Sequence, residues 1–364
     1  IDCNSCAWAD PDDRRTLAEF CESGVKAIVD EATTKLVTPE FFAKYSVEEL
    51  LKQSDQWLNA QGRITHPMVL REGATHYTPV TWVEAFSILA DELNSLKSPD
   101  EAAFYTSGRT SNETAFMYQL FARQFGTNNL PDCSNMCHES TSVALAESIG
   151  LGKATVRLED LEDTDLIIII GQNPGTCAPR MMSSLQKAKA GGARIIAVNP
   201  LPEAGLMNFI DPNPQHYENI LKFSASILGF EQTKFAALFL PIRIGGDMAF
   251  LKGLMKILVE REKKSPQAVF DYEFITNHTS GYQDFIENLD AVLWEDILEQ
   301  SGLTYDQITE AAEMYLNAKR VITCWAMGVT QHREAVATVQ DIANLHFLRG
   351  NIGRQGAGLC PVRG

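Results

Sequence analysis

Asp165-Leu166-Ile167-Ile168-Ile169-Ile170-Gly171-Gln172-Asn173-Pro174 sets an unbroken apolar run against a glycine, two amides and a proline. The run Leu166 to Ile170 has strand length and is far too short to cross a membrane. It lacks the alternation of a half-exposed strand, so both of its faces are expected to be covered. A helix is predicted from about Ala178 to Gly191, then a second strand over Ala193 to Val198 that ends at Asn199-Pro200. Strand, helix and strand form a βαβ unit, whose crossover is right-handed.

The same design recurs on both sides. Upstream, Ala102 to Thr106 reads as a strand closed by Ser107-Gly108; Thr110-x-x-Glu113 reads as a capping box opening a helix that runs to Gly126. Before it, Thr81-x-x-Glu84 reads as another box, and Val83, Phe86, Ala90 and Leu93 share one helical face. Downstream, Phe239 to Ile244 reads as a strand leading into Gly245-Gly246-Asp247, and Arg320 to Ala326 as another, followed by Gly328 and a helix near Ala335. Between them a long helical stretch carries a capping box at Thr304-x-x-Gln307, and near the start of the chain Thr38-Pro39-Glu40 reads as a helix start. The fold class is therefore α/β, with parallel sheet flanked by helices. Ligands in such folds bind beyond the carboxyl ends of the strands. That directs attention to the loops Ser107–Asn112, Gly171–Pro179, Asn199–Gly205, Gly245–Asp247 and Met327–His332.

The composition excludes several classes. In 364 residues, 45% are hydrophobic and 21% charged, the profile of a globular protein with a large core. A net charge of −16 disfavours nucleic-acid binding. No run of apolar residues is long enough to span a bilayer. Eight cysteines are too few for a disulfide scaffold, so a reducing, cytoplasmic setting is expected. The chain begins at Ile1 and ends at Arg363-Gly364 in an apparently structured stretch, and both ends are expected to be incomplete.

The loops after the strands are rich in Gly, Asn, Ser, Thr and Gln and precede helix N-termini, whose free N–H groups suit phosphates. Any one of them can also be read as a plain turn. The usual glycine fingerprints for NAD or ATP are absent. Cys3-x2-Cys6 is open to zinc, iron–sulfur or dithiol readings, with Cys21 the only other thiol nearby. Cys137-His138 is either a low-pKa nucleophile, a soft-metal ligand beside a base, or a buried structural Cys beside an exposed His.

Taken together, Cys3-Asn4-Ser5-Cys6-Ala7-Trp8, Ser107-Gly108-Arg109-Thr110-Ser111-Asn112-Glu113, Gly126-Thr127-Asn128-Asn129, Asn135-Met136-Cys137-His138-Glu139, Gly171-Gln172-Asn173-Pro174, Ala326-Met327-Gly328-Val329-Thr330-Gln331, Gly350-Asn351-Ile352-Gly353 and Pro361-Val362-Arg363-Gly364 resemble the prokaryotic molybdopterin oxidoreductases, in their formate-dehydrogenase-like, YdeP-type branch. The resemblance runs in order over almost the whole chain. It implies a bis-molybdopterin guanine dinucleotide cofactor carrying molybdenum or tungsten, and a 4Fe-4S cluster. It implies a small N-terminal iron–sulfur segment over residues 1–65, the first part of a second α/β domain over 66–131, and a molybdopterin-binding α/β domain over 132–364, with further C-terminal domains beyond this chain.

The resemblance also assigns roles. Cys137 falls on the metal-ligating position, His138 on a proton acceptor of near-neutral pKa, and Arg363 on the arginine that holds a carboxylate substrate. Ser107, Arg109, Asn112, Gly171, Asn173, Pro174, Asn199, Gly246, Asp247, Met327 and Gln331 fall on the cofactor's pterin, phosphate and guanine contacts. The reaction implied is a two-electron oxidation of formate to carbon dioxide, or the reverse, with electrons passing through the cluster to an acceptor protein or subunit. Three positions depart from the pattern. Asp10 stands at the third cluster position, so Cys3, Cys6, Asp10 and Cys21 imply an altered cluster. Ser23 stands where the family has lysine, with Lys26 nearby. Glu139 follows His138 where formate dehydrogenases carry Gly, and a carboxylate there disfavours formate. The alternatives are another small oxo-acid or oxyanion at the same cofactor, or an inactive regulatory relative.

Overall fold

The apolar run forms the middle of a sheet. In this computed structural model, which describes residues 8–9, 22–106, 110–131, 133–209, 219–228 and 233–363, Leu166–Ile170 is strand β1. It is joined by β2 (Arg194–Val198), β3 (Leu238–Leu240), β4 (Val321–Trp325) and β5 (Gly358–Pro361), all parallel, in the spatial order β5-β4-β1-β2-β3. All five β1 side chains are buried, but they divide between two cores. Leu166, Ile168 and Ile170 face one and Ile167 and Ile169 the other, as the two-residue period of a strand requires. Helix α1 (Cys133–Ile149) contributes Ala144 and Leu145 to the first core, and α2 (Met181–Ala190) contributes Met181, Met182, Leu185 and Ala188 to the second. Helices α3 (Asp247–Lys264), α4 (Tyr305–Asn317) and α5 (Ala335–Phe347) complete the first. Burial from both sides makes Ile168→Ala costly. It is expected to lower unfolding stability by about 2–5 kcal/mol, read from the denaturant midpoint.

Local sequence explains several boundaries. Thr304 and Gln307 form the full reciprocal cap of α4. Thr81 caps Trp82–Ser95 from one side only, because Glu84 is drawn to Arg71 at 2.7 Å. The box expected at Thr110 is displaced by one residue: Ser111 is the cap and accepts from the Thr114 amide. Thr38 sits at its cap position, but its side chain makes no cap hydrogen bond. The strand expected over Ala102–Thr106 is reduced to an isolated bridge at Thr106, and a backbone bond of 2.9 Å ties Phe104 N–H to Asn129 O. The expected helical stretch before β4 resolves into α3, α4 and three short helices, Tyr272–His278, Tyr282–Ala291 and Trp294–Ser301. β5, rich in Gly and Pro, was not foreseen; as an edge strand it tolerates Pro361.

The chain divides into two compact units between Asp132 and Cys133. The first holds short paired strands and the helices Trp82–Ser95 and Asn112–Phe125, on which Val83, Phe86, Phe116 and Met117 are exposed. The second holds the five-stranded sheet. No helix among the described residues is long and apolar enough to cross a membrane. Cys3, Cys6, Asp10, Cys21, Ser107 and Arg109 lie outside the described residues.

Burial leaves one carboxyl costly on α5. Asp341 is pushed up to about 6, chiefly by burial, against the pull of Lys252 and its bond from Asn344. Its folded pKa thus lies above the unfolded one. The protonated native form is fully favoured below the unfolded pKa, and that stability is lost as pH rises through about 6. Asp341→Asn mimics the protonated form. It is expected to be more stable than the parent by on the order of 1–3 kcal/mol at pH 7.5, with the gap closing near pH 4, in urea titrations at both pH values. A less stable variant at pH 7.5 means that the Lys252 attraction outweighs burial.

Candidate active site

The chain runs outward from β1 through β2 to β3, then returns to place β4 on the other side of β1. The carboxyl ends of β1 and β4 therefore flank a topological switch point, where loops diverge and leave a crevice. Gly171 leaves β1 with φ +58°, its N–H bonded to Val198 O and its carbonyl accepting from Gly328 N–H, both at 3.0 Å. A Cβ on Gly171 would lie 2.7 Å from the Gly328 carbonyl carbon, so both glycines are required for the two backbones to meet. Gly175 and Gly205 meet similarly, with a Gly175 Cβ falling 2.5 Å from Gly205 Cα.

Two amides in the β1 loop are incompletely used. Gln172 is buried and donates through Nε2 to Met181 Sδ at 3.2 Å, while its Oε1 is buried without a partner. Asn173 precedes the short helix Pro174–Cys177 without capping it, and its Oδ1 is likewise buried and unpartnered. Such acceptors call for N–H donors from elsewhere. The amino and ring N–H groups of a pterin or a guanine meet that need, and the glycine-lined backbone fits a flat or phosphorylated group. These residues fit the cofactor that the sequence pattern implies.

The other expected contacts are placed as follows. Asn199 donates to Leu201 O at 2.9 Å and to Glu203 Oε2 at 3.2 Å, shaping its own loop. Gly246 caps α3 and packs close, since a Cβ there would lie 2.6 Å from Gln300 O. Asp247, the first residue of α3, is buried and pushed up to about 6 by that burial, with the charge of His332 working the other way. His332 Nε2 is buried without a hydrogen bond. Met327 is half exposed in the loop after β4, and Asn112 is exposed at the start of its helix in the first unit.

Cys137 lies where α1 breaks: His138 has φ −138° and ψ 25° inside an otherwise helical run. The broken turn is clamped to the loop after β4. Thr330 Oγ1 donates to Cys137 O, Ser140 Oγ donates to Thr330 O at 3.0 Å, and Gln331 Nε2 donates to Met136 O at 3.3 Å. Cys137 itself is half-buried and in no disulfide.

His138 is enclosed, and that burial moves it away from the near-neutral pKa that the resemblance implies. Its Nε2 lies 2.9 Å from Val362 O, and a carbonyl only accepts, so Nε2 carries the proton. Its Nδ1 lies 3.1 Å from Thr141 Oγ1, which itself receives Trp325 Nε1–H at 2.9 Å. Thr141 can then donate its hydroxyl proton to the bare Nδ1. Burial lowers the imidazole to about 4, Arg363 adds to the lowering, and the Val362 bond opposes it. His138 is therefore neutral near pH 7. Arg363 follows Val362 directly; its Nη2 donates to Ser142 Oγ at 3.2 Å and to Gly152 O at 2.5 Å. Burial lowers its pKa and the negative charge of Glu139 raises it. The structure thus brings Cys137, His138 and the Val362-Arg363 end of β5 together. Thr141, Ser140, Trp325 and Thr330 were not singled out in the sequence. Thr141, three residues beyond His138 on a helix, and Thr330, within the Met327–His332 loop, carried positional signals.

The switch-point loops thus carry two unpartnered buried amide oxygens, and a Cys-His pair lies on the broken helix clamped to the loop after β4. The family description "Molybdopterin oxidoreductase" matches residues 63–362, and the chain belongs to that family. It is 51% identical over its full length to an oxidoreductase of Mycobacterium tuberculosis, Rv2900c, covering 45% of that protein. It is 47% identical to the protein YdeP of Escherichia coli over 100% of this chain and 47% of YdeP. It is 29% identical to an F420-dependent formate dehydrogenase alpha subunit of Methanococcus maripaludis, over 96% of this chain and 47% of the subunit. Among solved structures, acetylene hydratase from Pelobacter acetylenicus superposes with a TM-score of 0.63 at 16% identity, over 94% of this chain and 39% of that one, a likeness of fold. The chain spans about half the length of the curated relatives it matches. The α/β molybdopterin oxidoreductase fold expected from the sequence is the fold observed.

Proposed function

We propose that this chain supplies the metal-facing part of an oxidoreductase whose cofactor is bis-molybdopterin guanine dinucleotide with molybdenum or tungsten, and that the whole protein interconverts formate and carbon dioxide. The convergence of Cys137, His138 and Arg363 beside the switch-point loops carries this reading. When bound, the cofactor supplies the two-electron couple. Cys137 provides a thiolate, a ligand suited to a soft or high-valent metal. Gln172 and Asn173 would accept from its ring N–H groups, and Gly171, Pro174, Asn199, Gly246, Asp247, Met327 and Gln331 would line the loops that hold it. Arg363 orients a carboxylate through a charge-assisted contact, after turning from Gly152 O. His138 holds a proton at Nε2, and Nδ1 is its one open position for receiving another, once Thr141 releases it.

Cys3, Cys6 and Cys21, with Asp10, would hold an iron–sulfur cluster that passes electrons to an acceptor protein or subunit in the cytoplasm. A second reading, another small oxyanion at the same centre, is favoured by Glu139, whose charge acts on Arg363. Anaerobically purified full-length protein should contain molybdenum or tungsten, iron and releasable guanine nucleotide, and should reduce an artificial acceptor with formate. Metal and guanine without formate turnover would transfer the proposal to the second reading. Absence of both would end it.

A further inference from the structure

At the opposite end of β4 the chain has built a different surface. Lys319 lies just before the amino end of β4, beside an open groove of about 610 Å3 walled by Gln267, Phe270, Asp271, Tyr272, Lys319, Arg349 and Arg354. The groove carries three cations against one carboxylate, in a protein whose net charge is −16. None of the three cations is ion-paired to a carboxylate among the described residues. Asp271, the groove's own carboxylate, is used otherwise: its Oδ1 caps the Phe274 amide at 2.9 Å.

The guanidinium groups are held by the backbone and still have donors to give. Arg354 uses Nη2 on Lys319 O at 2.7 Å and Asn351 Oδ1 at 2.6 Å. Arg349 closes the last carbonyls of α4, with Nη1 on Tyr315 O and Ala318 O and Nη2 on Leu316 O. An arginine has five N–H donors, so Arg354 retains its Nε and Nη1 hydrogens, and Arg349 retains its Nε hydrogen and one on Nη2. Donors fixed in advance lose little freedom on binding. The facing wall is fixed as well. Glu262 accepts from the amides of Gln267, Val269 and Phe270, and Gln267 takes φ +67°, the one left-handed non-glycine among the described residues. Tyr272, 38% exposed, offers an aromatic side to whatever occupies the groove.

We propose that this groove binds a phosphorylated small molecule, with the phosphoryl oxygens on Lys319 Nζ and the remaining N–H groups of Arg349 and Arg354. A planar guanidinium pair beside an ammonium suits a phosphate dianion better than a single carboxylate, and the aromatic wall accommodates an organic moiety. The site stands apart from the candidate active site, because it lies at the amino ends of the strands and the crevice at the carboxyl ends.

Calorimetric titration of the full chain with pyrophosphate and with adenosine diphosphate tests it, in the parent and in Lys319→Glu and Lys319→Gln. Among the described residues the Lys319 side chain makes no hydrogen bond or ion pair, only its backbone does, so thermal midpoints should hardly move. Saturable binding that weakens by about tenfold or more in both variants, and recovers in Lys319→Arg, is expected. Tighter binding of adenosine diphosphate than of pyrophosphate would assign the Tyr272 wall to the organic part, and the reverse order would confine recognition to the phosphates. No saturable binding overturns the proposal. So does binding that Lys319→Glu leaves unchanged, since that places the phosphate in the switch-point loops instead.

Discussion

Gly171→Ala is expected to lower the stability of the second unit by about 2–5 kcal/mol and to open the crevice between β1 and β4. Two costs add. The added methyl group must sit at φ +58°, where side chains crowd the backbone. It would also fall 2.7 Å from Gly328 C, 2.8 Å from Val329 N and 2.9 Å from Gly328 Cα, all backbone atoms that no rotamer change can move. Relief requires the loop after β4 to retreat. That loop holds Thr330 against Cys137 and Gln331 against Met136, so the broken turn of α1 moves with it. Gly192→Ala is the control. Gly192 has φ +102° but nothing within 4 Å of its would-be Cβ, so only the backbone strain of about 1–2 kcal/mol remains. Denaturant midpoints of the two variants separate the terms. Equal losses would show that the close approach of Gly171 and Gly328 contributes nothing.

The legible part of this fold was the part that repeats. Five consecutive apolar residues, an amide-and-glycine loop and a second apolar run of the right spacing leave few alternatives to a buried parallel pair, and β1, β2 and β4 formed within a residue or two of their expected bounds. Failures came where a residue's local preference met a competing partner. Glu84 leaves its cap for Arg71, and Ser111 takes the cap that Thr110 was expected to hold. β5 escaped because Gly358 and Pro361 are poor strand formers that pairing with β4 nevertheless recruits. The site shows the same division. Cys137 and His138 were visible as adjacent reactive side chains. Their environment was not, because it is assembled from Thr141, Trp325, Thr330 and Val362, which lie up to 224 positions away from His138 along the chain. Burial and hydrogen bonding, which set the charge state of His138, exist only in three dimensions.

That environment makes Cys137→Ser the sharpest chemical test. The bond that clamps the turn runs from Thr330 to the backbone carbonyl of residue 137, so it survives the substitution. His138 keeps both of its partners, and Arg363 keeps Ser142. A half-buried thiol replaced by a hydroxyl should change stability by no more than about 1 kcal/mol. The chemistry should respond on another scale. If Cys137 is the thiolate at the metal, a hydroxyl of far higher pKa cannot replace it, and turnover should fall by about a thousandfold or more with cofactor content preserved. X-ray absorption at the metal edge should lose one sulfur neighbour. Cys177→Ser is the comparison, because Cys177 is exposed on the short helix after the β1 loop, outside the turn that Thr330 clamps. It should leave the sulfur count at the metal unchanged. Retained turnover in Cys137→Ser would assign the thiol a purely local role and return the metal-binding position to another side chain of the crevice.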